Sequence, residues 1–107
     1  MSKIQSFLSY LEHQKRFSAH TIKSYAKDLS LYSEFIAETF DLEELDEVHH
    51  SMIRSWIVEM VEKDYARTSI KRKLSALRSF YRFLQREGAV SSNPASQVIV
   101  PKPEKKL

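Results

Sequence analysis

An apolar seam in residues 69–88, SIKRKLSALRSFYRFLQREG, constrains the fold more than any other feature of the chain. Apolar residues recur there every three or four positions, the spacing that places side chains on one side of an α-helix. The seam consists of Ile70, Leu74, Leu77, Tyr81 and Leu84. We predict one amphipathic helix that begins near residue 68 and ends at Gly88, because glycine commonly terminates helices.

Three further stretches show the same periodicity. Residues 3–16 and 50–63 each predict a helix, and residues 17–40 predict a long one with Ser18 as its N-cap. The 107 residues include one Gly and three Pro, too few for the tight turns of a β-rich fold. We therefore predict an all-α bundle of four helices, with room for a brief turn in the acidic linker at 41–48.

The composition argues against several classes of function. The chain has no Cys, which excludes disulfides and Cys-based zinc sites, and its four His do not converge on a metal. A single Gly excludes Gly-rich phosphate loops. No apolar run approaches transmembrane length, and no catalytic Ser, His and Asp arrangement can be placed. We expect a soluble cytoplasmic protein with no cofactor, no metal, no membrane partner and no small-molecule substrate.

Charge is strongly segregated along the chain. Residues 1–28 hold five Lys or Arg against two acids, residues 29–65 hold two against ten, and residues 66–107 hold ten against two. This distribution predicts an anionic partner for the two ends, and a middle that faces solvent or protein.

The predicted fourth helix has its basic residues on one side. A helical wheel places Arg67, Lys71, Arg78 and Arg82 within about 60° of one another. Residues 67–86 contain no acid that could neutralise them, and the Ser and Thr hydroxyls beside them can donate to phosphate oxygens. The pattern favours nucleic-acid binding over a merely solvated face.

The predicted second helix supports the same interpretation less strongly. Its first half carries His20, Lys23 and Lys27 next to the positive end of the helix dipole. Taken alone, this face fits ordinary exposed charges equally well. Together with the basic side of the fourth helix, it favours binding to a polyanion.

Two stretches resemble the opening of tyrosine recombinases of the Xer and phage-integrase type. Residues 7–36, FLSYLEHQKRFSAHTIKSYAKDLSLYSEFI, contain the family's Thr-x-x-x-Tyr-x-x-Asp-Leu pattern, which ends here at Asp28 and Leu29. Residues 68–98, TSIKRKLSALRSFYRFLQREGAVSSNPASQV, are similar to the family's fourth helix and to the Asn-Pro segment before its catalytic domain. The resemblance implies a core-binding domain, a SAM-like orthogonal bundle of four helices that forms one jaw of a clamp around DNA.

The resemblance also implies a division of labour. Residues 1–100 would be the core-binding domain, and residues 101–107 a linker toward a catalytic domain that the chain does not contain. The full-length parent would cut and rejoin DNA through a phosphotyrosine intermediate. This chain, not an enzyme by itself, would hold duplex DNA beside other recombinase protomers.

In that family the second and fourth helices face the DNA. The contacts implied on the second helix are Ser18, His20, Thr21, Lys23, Ser24 and Lys27. Those implied on the fourth are Arg67, Thr68, Ser69, Lys71, Arg72, Ser75, Arg78 and Arg82. Thr21, Lys71 and Arg78 are the strongest candidates.

Two other functions remain open at this point. A helix-turn-helix transcription regulator would read DNA as a dimer, but EKDYART at 62–68 has no Gly for the tight turn that such proteins place before the recognition helix. A helical protein-interaction module would dock a partner, including another protomer, through acidic residues 34–64 or the apolar residues 98–100. Substituting Lys71, Arg78 and Arg82 with Ala separates these functions, because only a DNA-facing helix should lose duplex affinity.

Overall fold

The structure, a computed structural model, describes residues 2–102. Within that range the chain forms four α-helices and one 3-10 turn. They are α1 (Lys3–His13), α2 (Ala19–Phe40), the 3-10 turn Leu45–Glu47, α3 (His50–Glu62) and α4 (Arg67–Arg86). The all-α, four-helix prediction is confirmed, and the 3-10 turn lies in the acidic linker. Residues 103–107 of the predicted linker lie outside the described range.

Local hydrogen bonds explain where the first two helices begin. The Ser2 hydroxyl accepts from the Gln5 amide while the Gln5 side chain accepts from the Ser2 amide, each at 3.1 Å, so the first turn of α1 is capped reciprocally. The Ser18 hydroxyl accepts from the Thr21 amide at 3.1 Å, which confirms Ser18 as the N-cap of α2.

The fourth helix begins at Arg67, next to the predicted residue 68, but without a side-chain cap. Ala66 is its N-cap and no side chain bonds to its first amides, so Thr68 and Ser69 lie inside the first turn instead of capping it. Residues 63–66 connect α3 to α4, and Asp64 takes a left-handed conformation with φ 60° that usually favours glycine. The sequence argument that no tight turn precedes this helix was therefore wrong, since Asp64 takes the place of a glycine.

The core is built around α4, which packs against each of the other three helices. All five residues of the predicted seam are buried. The buried side of α4 is nevertheless wider than the seam, because Lys73, Ala76, Phe80 and Phe83 are buried as well. Because the buried side is wider, the solvent-facing side of α4 points in a different direction from the one that the helical wheel predicted.

The segment after α4 returns to the middle of that helix. Gly88 ends the helix with φ 82°, and the side chains of Ala95 and Val98 become buried. Arg78 donates from Nε to the Ala95 carbonyl at 3.2 Å and from Nη2 to the Val98 carbonyl. In return, Asn93 Nδ2 donates to the Arg78 carbonyl at 3.1 Å. The Asn-Pro segment is thus held against α4 by bonds in both directions.

Candidate nucleic-acid interface

A buried carboxylate joins the two helices that the sequence assigned to DNA contact. Asp28 on α2 is 3% exposed and accepts from Lys73 Nζ at 3.1 Å. It also accepts from Arg72 Nε at 3.4 Å and Nη2 at 3.3 Å. A buried carboxylate needs such partners, because desolvation otherwise disfavours its charge. Two cations surround one anion here, so the junction keeps a net positive charge.

Next to this junction, a groove of about 270 Å³ separates α2 from α4. Five of the predicted contact residues line it: His20, Thr21, Ser24, Arg72 and Ser75. The two stretches that carry these residues lie far apart in the sequence. The fold brings them to opposite walls of one groove.

Exposed cations lie on both of the helices that form the groove. Lys23 and Lys27 are exposed on α2, and Lys71 and Arg82 are exposed on α4. Over residues 2–102, none of these four side chains forms an ion pair. Their charges are therefore available to an external anion.

The remaining predicted residues do not line the groove. Arg78 uses Nε and Nη2 on the carbonyls of the returning segment, and Arg67 is half-buried with Nη1 enclosed by protein. Ser18 caps α2 and its hydroxyl donates to Thr21 Oγ1 at 2.9 Å. Thr68 is exposed and Ser69 half-buried on the first turn of α4.

Sequence reasoning missed two features of this surface. It did not pair Asp28 with Lys73, although Lys73 falls beside the apolar seam on a helical wheel. It also left Ser79 and Arg86 out of the predicted contacts, although they complete a polar line on α4 that contains three of those contacts. That line consists of Arg72, Ser75, Ser79, Arg82 and Arg86. Its alternating spacing of three and four was a readable signal.

Other kinds of site find no support in the part of the chain that the structure describes. No three His, Asp or Glu side chains within residues 2–102 lie close enough together to hold a metal ion. None of the helices there combines the length and apolar character needed to cross a lipid bilayer.

Comparison with known proteins identifies the family. The sequence model of one protein family, the phage integrase N-terminal SAM-like domain, matches residues 4–88. The chain belongs to this family. The match includes α1 to α4, so the groove between α2 and α4 lies wholly within the SAM-like domain.

Curated relatives of this SAM-like domain are named tyrosine recombinase XerC. The relative from Natranaerobius thermophilus is 38% identical over 106 residues, which cover 99% of this chain and 36% of the relative. The relative from Oceanobacillus iheyensis is 38% identical over 102 residues, 95% of this chain and 33% of the relative. The relative from Anoxybacillus flavithermus is 39% identical over 101 residues, which cover 94% of this chain and 33% of the relative. The chain spans about a third of the length of these relatives, and no solved structure matches it significantly.

Proposed function

We propose that this SAM-like domain is the DNA-binding clamp of a site-specific tyrosine recombinase, and that it grips duplex DNA in the groove between α2 and α4. The observation that carries the proposal is the groove itself, whose walls bring together five predicted contact residues from two helices. The names of the relatives agree with this role.

The chemistry of the groove suits a phosphate backbone. Thr21, Ser24 and Ser75 present short hydroxyls that can donate to phosphate oxygens at close approach. On the same two helices, Lys23, Lys27, Lys71 and Arg82 supply positive charge that no acid within residues 2–102 pairs with, and the first turn of α2 adds the positive end of its helix dipole. Such an interface binds mainly through counterion release, so its affinity falls steeply with salt.

The same helix limits the DNA-binding surface. Beyond Lys27, α2 carries exposed Glu34 and Glu38. Carboxylates at those positions repel phosphates. A duplex in the groove would therefore contact the first half of α2 and turn away from the second half.

A second role follows for the acidic part of the surface. A groove between α2 and α3 is lined by apolar side chains that include Leu31, Phe35 and Trp56, by three glutamates and by two lysines. The lysines pair with Glu59 and Asp28, which leaves Glu34 and Glu38 without a cation among residues 2–102. Such carboxylates beside apolar side chains suit a basic protein segment, and another recombinase protomer is the partner we assign to it.

DNA cleavage and rejoining belong, in this proposal, to the part of the full-length protein that this chain does not include. That chemistry needs a nucleophilic tyrosine activated by neighbouring groups, and we assign it to a catalytic domain attached beyond residues 101–107. The chain itself holds DNA, in the cytoplasm, without a cofactor.

A salt series tests the DNA-binding role. Duplex affinity is measured by fluorescence anisotropy for the native chain and for the triple variant Lys23→Gln, Lys27→Gln and Lys71→Gln. The magnitude of the slope of log affinity against log salt should fall by about 2.7, since each phosphate contact contributes about 0.9.

A matched control removes the same charge elsewhere. The triple variant Lys3→Gln, Arg54→Gln and Lys63→Gln changes side chains on α1, on α3 and just after α3, and none on α2 or α4. Its slope should equal that of the native chain. No binding at low salt, or equal losses in both triple variants, would refute the assignment of the groove to DNA.

A further inference from the structure

We propose that the domain holds a second phosphodiester of the same duplex in a pocket where the end of α1, the start of α2 and the last turns of α4 meet. This inference rests on the proposed DNA-binding function. The pocket has a volume of about 210 Å³ and an aromatic floor that includes Tyr10 and Tyr25, with Lys15, Arg82 and Arg86 around it. Neither Lys15 nor Arg86 belongs to the contacts that the sequence predicted.

No acid within residues 2–102 neutralises the positive charge of the pocket. Its lining contains three cations and no carboxylate. Lys15, Arg82 and Arg86 take part in no ion pair within residues 2–102. Like charges gathered on a small surface repel one another, and a bound anion converts that repulsion into attraction.

Tyr10 lies next to the cations of the pocket. The Arg86 guanidinium carbon lies 4.7 Å from the centre of the Tyr10 ring, in the range of a cation–π contact. Contact with Arg86, together with the charges of Arg86 and Lys15, lowers the pKa of Tyr10 from its ordinary value of 10.0. The positive field thus converges at the Tyr10 hydroxyl, which can itself donate a hydrogen bond to an anion.

A phosphate fits this pocket better than a nucleobase. Base stacking needs an open aromatic face, and Arg86 already covers one face of Tyr10. Phe17 is 37% exposed but is tilted by 37° toward Tyr25, with ring centres 6.1 Å apart. The polar groups that remain accessible are cations and the Ser79 and Tyr10 hydroxyls, which are donors for phosphate oxygens.

The pocket continues the α2–α4 groove. Tyr25 lines both cavities, and the polar line on α4 runs from Arg72 in the groove to Arg86 in the pocket. At 1.5 Å per residue, Ser75 and Arg86 are about 16 Å apart along the helix. The major groove of DNA is about 12 Å wide. The line is therefore long enough to reach phosphates on both sides of that groove.

The first test is the double variant Lys15→Gln and Arg86→Gln, assayed on duplex DNA between about 50 and 200 mM salt. Loss of the one phosphate contact in the pocket should reduce the magnitude of the salt slope by about 0.9. Over that fourfold range, the native chain should then lose about 3.5-fold more affinity than the variant. The control Arg54→Gln and Lys63→Gln, with the same charge change on α3 and just after it, should keep the native slope.

A second test does not depend on the stability of these variants. Because the sequence has no Cys, a single introduced Cys can carry a photoactivated crosslinker. Ser79→Cys, in the pocket, should crosslink to duplex DNA, whereas exposed Ser55→Cys on α3 should not. Failure of the Ser79→Cys crosslink together with an unchanged salt slope would overturn the inference.

The outcomes separate this inference from the proposed function. Absence of duplex binding by the native chain would defeat both. A slope that falls in the groove variant but not in the pocket variant would defeat the second site alone. Loss of the Ser79→Cys crosslink on adding inorganic phosphate at constant ionic strength, with the duplex still bound, would assign the pocket to free phosphate and overturn its assignment to DNA.

Discussion

Replacing Asp28 with Asn should destabilise the domain more than any other polar substitution at the junction of α2 and α4. Lys73 is 6% exposed, and its ammonium lies 3.1 Å from the Asp28 carboxylate. The introduced amide could still accept a hydrogen bond, but the Lys73 charge would stay buried without compensation. Breaking a buried pair in this way costs about 3–5 kcal/mol. That is a large part of the roughly 5–15 kcal/mol by which domains are stable.

The double variant Asp28→Leu and Lys73→Met is the informative comparison. It removes both buried charges and fills similar volume, so its stability should lie within about 1.5 kcal/mol of the native value. Arg72, whose side chain is 59% exposed, can turn to solvent when its partner is lost. The contrast between the two variants separates the cost of a lone charge from the value of the pair.

Urea unfolding measures both variants. The single Trp, Trp56, is buried in the core and reports tertiary structure by fluorescence, and circular dichroism reports the helices. Coincident transitions would justify a two-state treatment. The reasoning would be refuted if Asp28→Asn cost less than about 1 kcal/mol, or if the double variant were as unstable as the single one.

Three further substitutions test other parts of the fold. Arg78→Ala should lower the free energy of unfolding by about 2 kcal/mol and speed amide exchange in residues 95–98. It should change the DNA salt slope far less than Lys71→Ala does, and a slope loss of about 0.9 would instead make Arg78 a phosphate contact. Burial raises the pKa of Tyr32 and of Tyr81 above 10, so the folded state keeps both protons where the unfolded state loses them. The free energy of unfolding is therefore unaffected by these groups below pH 10 and falls as the pH rises above 10. Replacing both with Phe should flatten this alkaline loss by about 2.7 kcal/mol per pH unit in unfolding experiments, and an unchanged slope would contradict the assignment. Ser18→Ala should lower the unfolding free energy by about 1 kcal/mol, and no change would show that the cap contributes little.

The sequence predicted the helices well because their periodicity is a local property. The seam of α4 and the cap at Ser18 follow from spacing and from hydrogen-bonding chemistry that neighbouring residues determine. The wheel that identified the seam could not show how many helices would pack around it. With three helices against α4, the buried arc is wider than the seam and includes Lys73, Ala76, Phe80 and Phe83.

Features that depend on distant residues were beyond such reasoning. Nothing in the spacing of α2 indicates that Asp28 meets Lys73, because the pair is created by the crossing of two helices. The return of the chain to Arg78 likewise depends on the packing of Ala95 and Val98 into the core. The resemblance to a family implied that the second and fourth helices both face the DNA, and the fold brings Thr21, Ser24 and Ser75 from these two helices to one groove. Whether they contact DNA stays a prediction.

The bonds between Arg78 and the returning segment have a mechanical consequence. Arg78 lies on the same helix as the polar line from Arg72 to Arg86, and it fixes the chain at Ala95 and Val98. The chain from Asn93 to Val98 is therefore bonded to the middle of α4 and not only to its end. Any rotation of α4 against a bound duplex would carry residues 93–98 with it.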